Sequence, residues 1–178
     1  MLSVVICTHD PNEAYLRRAL AALQAQTLPG DAWELVVVDN GSARRVAAWC
    51  DLAWHPRARH VREAELGLTP ARLRGIRESR GELIVFVDDD NVLDPDYLAV
   101  AARIARDKPF VGAFSGSLRA EFETVPPAWI TPYLAGLAVG EIDRDSWTNV
   151  KSWSEATPAG AGMCVRREVA EEYLRLAH

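Results

Sequence analysis

Gly81-Glu82-Leu83-Ile84-Val85-Phe86-Val87-Asp88-Asp89-Asp90-Asn91 is the stretch whose reading decides the fold. Residues 83–87 are a continuous apolar run, bounded by Gly81 on one side and by three acids on the other. A short uninterrupted run of this kind predicts a strand buried on both faces, as in a parallel sheet. Three consecutive carboxylates at its carboxyl end repel one another and call for solvent, positive partners or a cation. Alternation along an extended backbone predicts that Asp88 and Asp90 share one side while Asp89 faces away. An Asp-x-Asp pair suits a hard divalent cation that takes oxygen ligands and keeps positions open for phosphate oxygens. The alternative is a solvated acidic strand end that caps the next helix. A calcium-binding loop beginning at Asp88 fails, because Val92 and Leu93 stand where an oxygen ligand and a glycine are required. A nucleophilic aspartate ending the first strand of its domain is also disfavoured, since two strand-like runs precede this triplet.

Working outward, residues 2–7 form a first buried strand that leaves through Thr8-His9-Asp10-Pro11-Asn12. Leu16, Leu20 and Leu23 mark a helix over 13–26, stopped before Pro29-Gly30. Residues 33–38 are a second strand ending in Asp39-Asn40-Gly41-Ser42, 43–52 read as helical, and 60–62 as a weak third strand. Thr69 and Pro70 predict a helix opening with Thr69 as cap and running to about residue 79. Pro95 predicts another helix through about residue 106, with Leu98, Ala101, Ala102 and Ala105 on its inner side. This β-α alternation is the signature of an α/β fold with a mostly parallel, Rossmann-like sheet flanked by helices. Beyond Lys108-Pro109 the rhythm becomes mixed. Strands are expected over 110–117, 118–122 and 147–153, and a short aromatic helix or loop near Trp129. The turn Pro158-Ala159-Gly160-Ala161-Gly162 should run into a strand, and a helix covers 167–177. A soft boundary therefore separates a nucleotide-type half, 1–109, from a more mixed half, 110–178.

The 178 residues suit one domain, and 49% hydrophobic against 25% charged residues suffices for a substantial core. A net charge of -5 argues against nucleic acid as a partner, though not against a nucleotide. Cys7, Cys50 and Cys164 are isolated, which fits a reducing compartment rather than a disulfide framework. No run approaches the roughly 18 apolar residues of a membrane span. A cytoplasmic protein is expected, with peripheral attachment to the inner face of a membrane left open.

Three polar clusters fall at strand exits: Thr8-His9-Asp10, Asp39-Asn40-Gly41-Ser42 and Asp88-Asp89-Asp90. In a doubly wound sheet such exits share one rim, where a ligand sits. Asp39 is placed either to accept from a base imide or to cap the segment after it. Arg72 is placed to reach a base or diphosphate on the rim. His55 and His60, near Cys50 and Asp51, match no familiar zinc spacing. Trp129, Trp147 and Trp153 are candidates either for sugar stacking or for core packing. Gly160-Ala161-Gly162 is too short to cradle phosphate and more plausibly lets a substrate approach the backbone.

These residues, taken as Ser3-Val4-Val5-Ile6-Cys7-Thr8-His9, then Leu35-Val36-Val37-Val38-Asp39-Asn40-Gly41-Ser42, then 67–75 with Arg72, then 81–90, resemble family 2 glycosyltransferases of the GT-A fold. The stretch 160–167 is similar to the family's glycine-containing acceptor-side segment. The resemblance covers nearly the whole chain and does not identify the sugar. It implies inverting transfer from a nucleotide-diphosphate sugar to a saccharide or other acceptor hydroxyl, with a divalent metal, Mn or Mg, bridging the phosphates. By position it implies that Thr8 and Asp10 line the nucleoside pocket, and that Asp39 binds the base, which favours UDP or dTDP donors. Arg72 would hold base or phosphate, Asp88 would contact the ribose, and Asp90, with Asp88 beside it, would ligate the metal. Gly160, Ala161 and Gly162 would border donor sugar and acceptor. Many members carry asparagine where this chain has Glu65 and Leu73. The family's catalytic base is expected past the last helix, beyond His178, and Glu155 is the internal candidate. Two other readings are a sugar-phosphate nucleotidyltransferase, which lacks its glycine-rich basic loop here, and a non-catalytic nucleotide-sugar-binding module.

Overall fold

The computed structural model describes residues 1–178 apart from Ala138, Lys151, Trp153, Glu155, Ala177 and His178. The chain runs β1 (Leu2–Thr8), α1 (Glu13–Gln24), β2 (Trp33–Asn40), β3 (Ala58–Glu63), α2 (Leu68–Glu78), β4 (Leu83–Asp88), α3 (Tyr97–Asp107), β5 (Ala113–Phe114), β6 (Cys164–Arg166) and α4 (Arg167–Leu176). The strands form one sheet in the order β3-β2-β1-β4-β6-β5. The first four are parallel, while β6 runs antiparallel to both β4 and β5. The expected mostly parallel sheet with a mixed second half is what forms.

The apolar runs explain the layering. In β1, Val4 and Ile6 point to one face, where they meet Leu35, Val37, Val85 and Val87 beneath Leu16, Leu20 and Leu23 of α1 and Leu98 and Ala101 of α3. Val5 points to the other face and packs with Val36, Val38, Ile84 and Phe86 against Ala71 and Ile76 of α2 and Ala170 of α4. Each fully buried aliphatic side chain contributes about 1.5–3 kcal/mol. A strand covered by helices on both sides needs apolar residues at every position, which is why the runs are continuous.

Several expectations are corrected. Residues 43–52 hold only a 3₁₀ turn, Val46–Ala48. The N–H groups of Ser42 and Val46 donate to the Asp39 carboxylate instead of a helical ladder. Helix α2 starts at Leu68, and its cap is Gly67 at φ 139°, with no side-chain cap from Thr69. Pro70 still lies in the first turn, where a missing N–H costs nothing. Helix α3 begins at Tyr97 rather than Pro95, after a turn in which the Tyr97 N–H donates to the Asp94 carbonyl. The strands expected over 110–117 and 118–122 reduce to β5 and a single bridge between Leu118 and Gly140. Residues 147–150 form no strand, and positions 151 and 153 of that expectation lie outside the described residues. Near Trp129 the chain forms a 3₁₀ helix, Ala128–Leu137.

At the end of the sheet away from the strand exits sits a buried carboxylate, Glu34, at 2% exposure. It accepts from Ser3 Oγ at 2.6 Å, from Arg59 at 2.8 Å and from the Arg80 N–H at 2.5 Å. Burial alone pushes its pKa up, but these donors outweigh burial and hold it below the ordinary glutamate range. A depressed carboxylate stabilises the fold above its unfolded pKa, and that stability is lost as pH falls through the folded value. Glu34→Gln should therefore cost about 1–3 kcal/mol near neutrality. It should also flatten the loss of stability below about pH 4, as read by urea denaturation across pH.

Candidate active site

Strands β1, β2 and β4 are neighbours, with Thr8 paired to Asp39 and Cys7 to Asp88, so their exits share one rim. Each exit is then fixed by its own side chains. Asp10, at φ 44°, takes the left-handed conformation that aspartate tolerates. It is held by its N–H donating to Ser42 Oγ at 3.0 Å, while its carboxylate accepts from the Ala43 N–H at 2.8 Å. Asp10 thus ties the loops after β1 and β2 together.

Asp39 is 4% exposed and accepts from the N–H groups of Ser42 and Val46 and from the Arg62 guanidinium at 2.7 Å. Burial pushes its pKa up, yet the Ser42, Val46 and Arg62 donors prevail and hold it below the usual aspartate range. Asn40, equally buried, donates to the Glu65 carbonyl at 2.6 Å and accepts from the Gly67 N–H at 2.8 Å. It fastens the loop entering α2 beside the rim. Glu65, where many family members have asparagine, contributes this backbone carbonyl to the loop. Between these loops lies a cavity of about 280 Å³ lined by Cys7, Thr8, His9, Asn40, Leu66, Gly67, Leu68 and Ala71. Burial pushes the Cys7 thiol up to about 12, leaving it a neutral wall.

The acid triplet is arranged differently from simple alternation. Strand β4 ends at Asp88, and the Asn91 N–H donates to the Asp88 carbonyl at 3.1 Å to close a turn. Asp89 does not face away from the site: Thr8 Oγ1 donates to its carboxylate, joining the exits of β1 and β4. Asp88 lies 3.6 Å from Arg72 Nη2, and Asp90 accepts from the Asn91 amide at 3.2 Å. Burial raises the pKa of Asp88; Arg72 opposes this, and Asp90 and Asp89 add to it. Burial likewise raises Asp89, against the hydrogen bond from Thr8. Among the described residues no group of three His, Cys, Asp or Glu converges on a metal position. What the turn offers is two crowded carboxylates, Asp88 and Asp90, with one cation nearby. That donor set fits a divalent ion completing its shell with phosphate and water.

A second cavity, of about 540 Å³, lies on the far side of the turn, lined by residues 90–94 and 116–121 with Tyr97, Val139, Ala161 and Gly162. Gly162, at φ 70°, presents its carbonyl to the Tyr97 hydroxyl, which donates at 2.5 Å. Tyr97 thereby pins the glycine segment to the start of α3.

The structure therefore joins Thr8 to the acid turn, Arg72 to Asp88, and Ala161 and Gly162 to the cavity beside Asp90. Asp39 and Asp10 serve the loops. Glu155 lies outside the described residues. His9 and Asn40 belong to the polar strand-exit clusters that the sequence put on this rim, whereas Leu66 and Tyr97 were not among the expected site residues and nothing in sequence marks Tyr97. Among the described residues no helix is long and apolar enough to cross a membrane.

A parallel sheet with acids at its strand exits and a glycine-bearing return strand is the GT-A glycosyltransferase architecture. Residues 3–174 match the sequence model of Glycosyl transferase family 2, and the chain belongs to that family. It is 31% identical over 168 residues to an N-acetylglucosaminyltransferase of Mesorhizobium japonicum, covering 92% of this chain and 37% of the relative. It is 32% identical over 112 residues to the putative glycosyltransferase EpsH of Bacillus subtilis, covering 60% of this chain and 31% of the relative. It thus spans about a third of the length of these relatives. Among solved structures, S. aureus TarS superposes with a TM-score of 0.72 at 19% identity, over 97% of this chain and 48% of TarS. Mannosyltransferase PcManGT from Pyrobaculum calidifontis, solved with GDP-Man and Mn2+, gives 0.70 at 24% identity, over 97% of this chain and 46% of that one.

The Thr8 hydroxyl compensates a carboxylate that is already crowded. Thr8→Val should cost about 1–3 kcal/mol of stability by leaving Asp89 without its donor, and Thr8→Ser should restore most of it. Denaturant melts of the two variants check this.

Proposed function

We propose that this chain is the donor-binding GT-A domain of an inverting glycosyltransferase that uses a nucleoside-diphosphate sugar and a divalent cation. The observation that carries the reading is the shared rim. Three parallel exits carry Thr8 and His9, Asn40, and the turn from Asp88 to Asp90; Thr8, His9 and Asn40 line one cavity and Asp90 lines another. The apolar slot over Leu68 and Ala71 takes the nucleoside. A lone pair of Asp39 accepts the imide of uracil or thymine, which favours UDP or dTDP donors. Arg72 presents its guanidinium to the diphosphate, and Asp88 meets the ribose.

Asp90, with Asp88 beside it, holds the cation, Mn2+ or Mg2+. When bound, this ion supplies Lewis-acid stabilisation of the negative charge on the departing nucleoside diphosphate. The acceptor hydroxyl oxygen bonds to the anomeric carbon as the bond to the diphosphate oxygen breaks on the opposite face. A carboxylate base takes the hydroxyl proton, worth ~10²–10⁴ in rate. Glu155 is the candidate for that role inside the chain. The cavity beside Ala161 and Gly162 takes the sugar and acceptor. A cytoplasmic location, peripheral to a membrane, suits such a donor.

The likeness to TarS, which has been solved with UDP-GlcNAc, supports a nucleotide-sugar donor, and the Mn2+ complex of PcManGT supports a cation. Calorimetry of UDP binding with and without EDTA tests the cation. UDP should bind tightly only with Mn2+ or Mg2+, and Asp90→Asn should abolish the difference; equal affinity under both conditions removes the metal from the proposal.

Base choice is a separate expectation. Asp39→Asn should weaken UDP by about 1–3 kcal/mol, more than Arg62→Met does, because the arginine variant keeps the carboxylate. A preference of the unmodified protein for GDP over UDP would overturn the base assignment.

A further inference from the structure

Arg72 reaches from α2 across the ring of Phe86, with its guanidinium carbon 5.4 Å from the ring centroid. The side chain is 23% exposed, and Nη2 lies 3.6 Å from Asp88 Oδ1. Gly160 also lies close to the guanidinium. A Cβ on Gly160 would lie 3.2 Å from Nη2, 3.7 Å from Nη1 and 3.9 Å from Cζ. Those distances leave little room for a side chain at position 160 while Arg72 keeps this place. Gly162 adopts positive φ, but Gly160 does not, so the backbone does not require glycine there. A methyl group there would instead displace the guanidinium by a few tenths of an ångström. A planar cation between an aromatic face and a bare Cα has its fork direction fixed, which a flexible ammonium in the same place lacks.

We propose that Gly160 is a positioning residue for Arg72. Its missing side chain leaves the guanidinium its place over the Phe86 ring, beside Asp88 and toward the diphosphate position. This refines the sequence-based expectation that Gly160 makes room for substrate: the group it makes room for is Arg72. The glycine segment and the nucleotide site are thereby coupled, because displacement of one moves the other. The inference rests on the reading that the rim binds a nucleoside diphosphate.

A double-mutant cycle with calorimetry tests it, using UDP and GDP each with Mn2+, on the unmodified chain, Gly160→Ala, Arg72→Met and the double variant. Gly160→Ala should weaken the bound diphosphate about ten-fold, the size of a contact-pair coupling, and should have almost no effect in the Arg72→Met background. Uridine, which carries no phosphate, should bind all four proteins alike. Equal weakening in both backgrounds, or none in either, overturns the positioning role. Failure of the unmodified protein to bind either nucleotide overturns the nucleoside-diphosphate reading and the inference with it. If Gly160→Ala melts too low for calorimetry, its melting temperature reads the same coupling. Recovery on adding Arg72→Met supports the role, and an unchanged loss overturns it.

Discussion

The pairing of β1 with β4, which sets Cys7 beside Asp88, is the constraint from which the site follows. Strand β1 lies between β2 and β4, and all three are buried on both faces. A one-residue slip of any of them would turn apolar side chains from one packed layer into the other. Register is therefore fixed by two helical layers at once, and the polar residues at the exits inherit that fixity. Thr8 reaches Asp89, and Asp39 reaches the loop over Arg62, only because the strands beneath cannot slide.

The acids on this rim fall into two groups by how their charge is compensated. Asp39 is buried among donors, so its charge is already satisfied and its pKa is pulled down. Glu34 at the opposite end of the sheet is satisfied in the same way. Both carboxylates fasten the chain, and in the proposed function Asp39 keeps one lone pair for the base. Asp88 and Asp89 are pushed up because burial and the neighbouring Asp90 outweigh Arg72 and Thr8. A carboxylate left short of positive charge in a cleft is a group prepared for a ligand. The same sheet thus sorts its acids by donor supply, and the proposed cation belongs at the undersupplied turn, on Asp90 with Asp88 beside it.

The strands that build the rim were legible because a doubly covered strand must be apolar throughout, and residues 2–7, 33–38 and 83–87 are. The polar exits were legible for the same reason: they begin where the apolar run stops. What the sequence concealed depended on side chains reaching across the fold. Residues 43–52 have helical spacing, but Asp39 captures their first amide groups, an interaction that no local pattern announces. Alternation placed Asp88 and Asp90 together, yet the strand ends at Asp88 and a turn takes over, so period two no longer applies. Tyr97 was invisible as a site residue because its partner, the Gly162 carbonyl, lies 65 positions away. In the second half the strands are too short for either periodicity to register.

That second half still belongs to the same sheet. Strand β6 lies between β4 and β5, with Val165 beside Ile84, and the Phe86 N–H donates to the Met163 carbonyl at 2.8 Å. Because β6 is antiparallel to β4, the glycine segment enters it at the rim, whereas Arg166 leaves at the far end. There Arg166 donates to the carbonyls of Ala105, Lys108 and Val111, closing the end of α3. Helix α3 begins at Tyr97, which grips Gly162, so the return strand and the helix are fastened to each other at both ends. The strand that delivers the acids, β4, is thus paired directly with β6, the strand that the glycine segment enters. The packing is therefore continuous across residue 110. The distance between the acid turn and the glycine segment is set by one sheet and one helix, the arrangement that a transfer between two ligands requires.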